Sequence, residues 1–330
     1  MESRPTSLVW SAPAALYHVF PLAENGGLVK SEEPRYNTHR RRWCVRRRTS
    51  TGRKPALESR NADLGRTTPR WPRLTVVIVA VSVLGIVLFI ILSPASLLGK
   101  ADLVGYAICH RIPERSFIVG GRQLPLCARC TGTFLGAVVG LMVMLLLRRH
   151  RASRLPPASV LLVLVAFVAL WAFDGLNSYM TLFPGAPSLY EPRNWLRLTT
   201  GMLNGLALVI FVFPIFNFTL WRRPAPERVI KNIWELMAIL PVVAVLVFVI
   251  QSEVGFLLYP LAIASSLGVL MMLVIINTML AAVVLGREGF ALSWRQMLVP
   301  LTVGTALAIL EITGMVLFRG YLTTRLGLPF

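Results

Sequence analysis

The chain has 330 residues, is 55% hydrophobic with a mean hydropathy of +0.65, and carries a formal charge of +19. Soluble domains rarely combine such values, so the composition excludes an ordinary soluble enzyme and points to apolar spans with charge gathered in loops and tails. Nucleic acid is not needed as a partner, because 25 of the 34 Lys and Arg fall on one side of the spans assigned below, as the positive-inside rule expects.

In chain order, residues 1–73 show no sustained apolar period and hold the clusters Arg40-Arg41-Arg42 and Arg46-Arg47-Arg48. Such a segment buries too little surface to offset its chain entropy, and is expected to be a disordered, Arg-rich cytoplasmic tail drawn to anionic lipid. It lacks the apolar core and cleavage site of a signal peptide. His39 and Cys44 lie in it without an assigned role.

Seven apolar stretches follow, at about 74–94, 131–147, 158–182, 199–220, 233–250, 255–285 and 297–318, each long enough to cross a hydrocarbon layer of roughly 30 Å as a helix. The second is short; the sixth is long enough to be one tilted span or two. The expected fold is therefore all-α: a polytopic α-helical membrane protein of about seven transmembrane helices occupying 74–330, with a cytoplasmic N-terminus, in the plasma membrane. Glycines at four-residue spacing, Gly132, Gly136 and Gly140 in the second span and Gly201 and Gly205 in the fourth, predict close helix approach, within the chain in preference to a dimer.

This topology places the segment between the first two spans outside. It holds three of the four cysteines, in Cys109-His110-Arg111 and Cys127-Ala128-Arg129-Cys130. Cysteine and histidine bind soft and borderline metals or carry thiol redox chemistry. Adjacent Cys109 and His110 rarely ligate one ion, so the expected set is Cys127, Cys130 and either Cys109 or His110. Three protein ligands with water describe an open catalytic zinc site, and four a closed structural one. A thiol relay and a single structural disulfide with a spare thiol stay open as alternatives, since the extracytoplasmic side is oxidising.

Other polar residues are expected on the same side. Asp174 and Asn177 lie one turn apart near the outer end of the third span, and Glu191, Asn194 and Arg197 follow in the next loop. Arg197, Thr200 and Asn204 share a face of the fourth span. Glu311 lies in the outer half of the seventh, and ionisable residues at that depth usually face a partner or a polar cavity. Asp174 and Arg197 read either as an ion pair tying two helices or as part of a catalytic site with Glu191 and Asn194. Arg111, Arg115, Arg122 and Arg129, with Gln123, add to this polar group; the arginines suit an anionic lipid or small anionic substrate through their forked donors, or tie the loop to its own acids and carbonyls. Glu235, near the inner interface, is expected to be solvated.

The string Cys109-His110-Arg111-x-Pro113-Glu114-Arg115-Ser116-Phe117, with Gly121-x-Gln123-x-Pro125-x-Cys127-Ala128-Arg129-Cys130-Thr131-Gly132, resembles a domain-of-unknown-function family of predicted prokaryotic integral-membrane proteins. Asp174-Gly175 and Asn194-x-x-Arg197-x-x-Thr200-Gly201 extend the resemblance, which covers about 100–205. It implies one shared site and names no reaction. The leading expectation is a metal-dependent membrane enzyme acting on an anionic, lipid-linked substrate, with zinc as the expected metal. A membrane thiol–disulfide oxidoreductase and a transporter or carrier are the competing classes. The oligomeric state is left open.

Overall fold

The computed structural model describes residues 73–181, 183 and 189–326; the arginine clusters, His39 and Cys44 lie outside the described residues. Eight α-helices are described: α1 (Arg73–Leu92), α2 (Leu97–Ile108), α3 (Ala128–Leu146), α4 (Ala158–Met180), α5 (Asn194–Leu220), α6 (Ile233–Gln251), α7 (Leu258–Val284) and α8 (Trp294–Leu326). All but the short α2 are long and apolar enough to cross a membrane. The seven expected spans are all present. The long sixth run forms the single helix α7. Its Pro260 falls in the first turn, where no amide is needed for the helix ladder.

Helix ends differ from the apolar runs where polar residues open a helix. α3 begins at Ala128 and α5 at Asn194, so Arg129 and Arg197 lie in first turns that hydropathy alone assigns to loops. α5 is the central helix: 61% of its spanning window is buried, against 11% for α1 and 17% for α8.

α3 and α5 run in the same direction and pack through glycine. A Cβ on Gly205 would stand 1.8 Å from the Thr133 carbonyl oxygen, and one on Gly201 2.3 Å from that of Arg129. Reciprocally, Cβ atoms on Gly132 and Gly136 would stand 2.3 and 2.2 Å from the Leu198 and Met202 carbonyl oxygens. Only hydrogen at these positions permits the two backbones to touch. The glycine stripe is thus satisfied within the chain, and the first turns of α3 and α5 are held side by side.

At the end of the bundle where α3 and α5 finish, short parallel strands β3 (Ala152–Arg154) and β4 (Ala225–Arg228) pair. Arg149, buried, donates to both oxygens of Glu235 at 2.6 and 2.7 Å and to the Val229 carbonyl at 2.9 Å. Glu235, expected to be solvated, is therefore the partner of a bidentate ion pair. Between α1 and α8 lies an apolar cleft of about 720 Å³, lined by residues including Val81, Phe89, Leu103, Leu307 and Val316.

Candidate metal centre

The segment between α1 and α3 is folded by its own local chemistry. Ser96 caps α2 by accepting the Gly99 amide at 3.0 Å. The helix buries Leu98, Ala101, Val104 and Ala107 and ends at Cys109. Gly105 lets the Pro125 backbone lie against it: an added Cβ would stand 2.0 Å from the Pro125 oxygen. A 3-10 turn (Pro113–Arg115) leads into β1 (Ile118–Val119) and β2 (Arg122–Gln123). Their register places Gly120-Gly121 as a two-residue hairpin turn. Both glycines have positive φ (58° and 76°), which the tight right-twisted hairpin requires. The hairpin returns the chain to Cys127, immediately before α3.

The result is a cluster of three thiols. The sulfurs of Cys109, Cys127 and Cys130 lie within 4.8 Å of one another, and all three are free. Cys109 is buried; the other two are half-buried. Val104, Ala107, Leu126, Val269 and Ile312 form the apolar wall, with Val316 packed against it. The Cys127 amide donates to Cys109 Sγ at 3.2 Å.

Arg111 holds a positive φ of 53°, uncommon for a side chain other than glycine. Its backbone is clamped by Gln123, whose Nε2 donates to the Arg111 carbonyl at 2.7 Å and to Ser116 Oγ at 3.0 Å. Hydrogen bonds from the Cys127 and Cys130 thiols hold Cys109 far below the usual thiol range, with the Arg111 and Cys127 amides adding to them and burial opposing them. Donating to Cys109 and burial push Cys127 up. Cys109 is therefore the most acidic thiol of the three. A zinc–sulfur bond of ~2.3 Å puts tetrahedral ligand sulfurs about 3.8 Å apart, a spacing that lies inside the 4.8 Å bound on the trio. His110 is exposed and outside the trio.

A second constellation lies beside the first. Asp174 and Ser178 are one turn apart on α4, and both are buried. Arg129 donates to the Asp174 carboxylate from Nε at 3.2 Å and Nη2 at 2.5 Å, and from Nη2 to its carbonyl at 3.1 Å. The Tyr190 hydroxyl donates to the same carboxylate at 2.8 Å, and Thr200 Oγ1 lies 3.4 Å away. Burial, then its bond to Asp174, pushes the Tyr190 phenol up to about 12, so it remains a neutral donor.

Arg197 is not the ion-pair partner of Asp174. Its Nε and Nη2 donate to Ser178 Oγ at 3.1 and 2.9 Å, and Nη1 to Asn194 Oδ1 at 2.8 Å. The physical reason is reach between helices: Arg129, in the first turn of α3, extends to the carboxylate on α4, while Arg197 is held by Ser178 and Asn194. Arg115 Nη2 reaches the Ser178 carbonyl at 3.4 Å. Arg115, Arg129, Asp174 and Cys127 all lie within electrostatic reach of Arg197.

The remaining expected site residues separate. Arg111 and Arg122 pair with Asp102 on α2 at 2.8 and 2.6 Å. Asn177 fixes the following loop, accepting the Leu189 amide at 2.8 Å and donating to the Tyr190 carbonyl at 3.0 Å. Asn194 also donates to the carbonyls of Glu114 and Ser116, tying α5 to the hairpin. Asn204 is buried on α5, further inward than Thr200. Glu191 is exposed. Glu311 accepts from Asn277 Nδ2 at 2.9 Å. Sequence reasoning did not single out Ser178, Tyr190 or Arg319. Ser178 had a usable signal, four residues after Asp174. Arg319, buried on α8, donates to the carbonyls of Tyr106 and Cys109 and stacks on the Tyr106 ring, so the last helix braces the cysteine loop.

Fold and site together define a multi-pass α-helical membrane protein with a thiol cluster beside a cationic one at the end of the bundle where α3 and α5 begin. The chain belongs to the DUF2085 family of predicted membrane proteins, whose model matches residues 109–211. That match runs from Cys109 through α3 and α4 into α5, and so takes in both constellations, while Asp102 and Arg319 fall outside it. An uncharacterised protein of Methanothermobacter thermautotrophicus is 33% identical over 103 residues, covering 31% of this chain and 82% of the relative. One of Methanocaldococcus jannaschii is 28% identical over 116 residues, 35% of this chain and 68% of the relative. No solved structure matches.

Proposed function

We propose that this protein is a metal-dependent enzyme of the plasma membrane, acting at the outer face on an anionic, lipid-linked substrate. The observation that carries the reading is the trio of free sulfurs within 4.8 Å of one another. Three thiolates from Cys109, Cys127 and Cys130 suit a soft or borderline ion such as zinc and leave a position for water or a substrate atom. A bound zinc would supply a Lewis acid or an activated water. Arg197 and Arg129 would contact the substrate's anionic group, and Asp174 and Asn194 would position those arginines. The apolar cleft between α1 and α8 supports a lipid-linked substrate, because Val316 both lines it and packs against the thiol cluster. The excess of Lys and Arg at the other end of the spans supports the orientation.

Elemental analysis of purified protein tests the reading. About one metal ion per chain is expected, lost in Cys109→Ser, Cys127→Ser and Cys130→Ser and kept in His110→Ala. Metal-free protein with a Cys127–Cys130 disulfide would overturn it. That outcome would favour thiol–disulfide exchange, for which Cys109 is placed to attack the pair.

A further inference from the structure

Resting on the reading that this site takes an anionic substrate, we propose that Arg115, Arg129 and Arg197 form a phosphate subsite, for free phosphate or the phosphomonoester headgroup of a lipid.

Arg115 and Arg129 lie within electrostatic reach of Arg197, and Asp174 is the one carboxylate in that group. Asp174 is engaged by Arg129 and by the Tyr190 hydroxyl. Arg197 is buried, yet its hydrogen-bond partners are the neutral Ser178 and Asn194 side chains. Among the described residues, no carboxylate lies within 4.0 Å of Arg197 or Arg115. Cys127 is the other acidic group in electrostatic reach of Arg197, and its sulfur belongs to the thiol trio. A buried cation without a counter-ion is costly, and like charges close by add to the cost. An anion between them removes both penalties.

The backbone adds to the attraction. α3 and α5 start side by side, so the positive ends of two parallel helix dipoles face the same space. The geometry favours phosphate over carboxylate. One arginine fork satisfies a planar carboxylate, whereas forks arriving from the 3-10 turn, from α3 and from α5 suit a dianion with oxygens pointing several ways. Arg115 and Arg129 are partly exposed, which leaves an approach from outside.

The test uses the full chain in detergent, titrated calorimetrically with inorganic phosphate, and in nanodiscs of phosphatidylcholine with or without phosphatidic acid. Saturable binding is expected, weakened roughly tenfold or more in Arg197→Gln and in Arg115→Gln. Arg115 makes one long hydrogen bond, so its variant keeps the test valid if Arg197→Gln does not fold. Arg287→Gln, at the inner end beside Thr75, is expected to bind as the parent does. Saturable binding of phosphate in detergent identifies free phosphate as the ligand. Thermal stabilisation by phosphatidic acid nanodiscs alone identifies the lipid headgroup. Saturable binding that persists in a metal-free Cys127→Ser protein would uphold the subsite even if the metal reading fails. No saturable response to either ligand, or parental affinity in both arginine variants, overturns the proposal.

Discussion

Asp174→Asn removes one charge from the arginine site while keeping the side chain's shape. The native carboxylate is 2% exposed and receives Arg129 from two nitrogens, with Tyr190 as a third donor. At about 3 Å and an effective dielectric near 20, the Coulomb attraction is roughly 5 kcal/mol, opposed by the desolvation of both ions. Breaking a buried pair by removing one partner costs about 3–5 kcal/mol, because the other charge is stranded. Arg129 is 21% exposed, which favours the lower end, about 3 kcal/mol. The double variant Asp174→Asn/Arg129→Gln should recover part of that loss, with a coupling above about 1.5 kcal/mol. Asp174 and Arg197 should couple less than half as strongly, since Arg197 bonds to Ser178 and Asn194. The assay is unfolding in a fixed detergent, followed by circular dichroism, for the parent, single and double variants of both cycles. A larger coupling of Asp174 to Arg197 than to Arg129 would falsify the pairing described here.

Gly205→Ala should destabilise by about 1–3 kcal/mol or more, because its new methyl must move from 1.8 Å to beyond 3.0 Å of the Thr133 carbonyl by parting α3 from α5. Gly314→Ala has nothing within 4 Å and should change stability by no more than about 1 kcal/mol, in the stabilising direction; equal effects at the two positions would rule out the close helix contact. A membrane-impermeant maleimide should label Cys127 or Cys130 in intact cells after chelation and reduction, and labelling confined to lysed cells would reverse the proposed orientation.

The spans were legible in the sequence because a bilayer imposes a local rule: an apolar run of sufficient length must close its own backbone hydrogen bonds as a helix. The glycine stripe was legible for a similar reason, since a four-residue repeat marks one face whatever its partner. The cysteine spacing marked where the site would lie. What the sequence could not supply was pairing across elements. Sequence position suggested Arg197 as the partner of Asp174, and only the folded structure brings the Arg129 guanidinium to the carboxylate instead. Cys109 and His110 were equivalent as third ligands until the end of α2 buried one and left the other exposed. Glu311 was grouped with the outer charges by depth alone, and only the packing of α8 on α7 gave it Asn277. Periodicity and hydropathy depend on neighbours within a few residues and survive in one dimension. The partner of a buried charge depends on ångström-scale approach between distant helices, which exists only once the tertiary structure has formed.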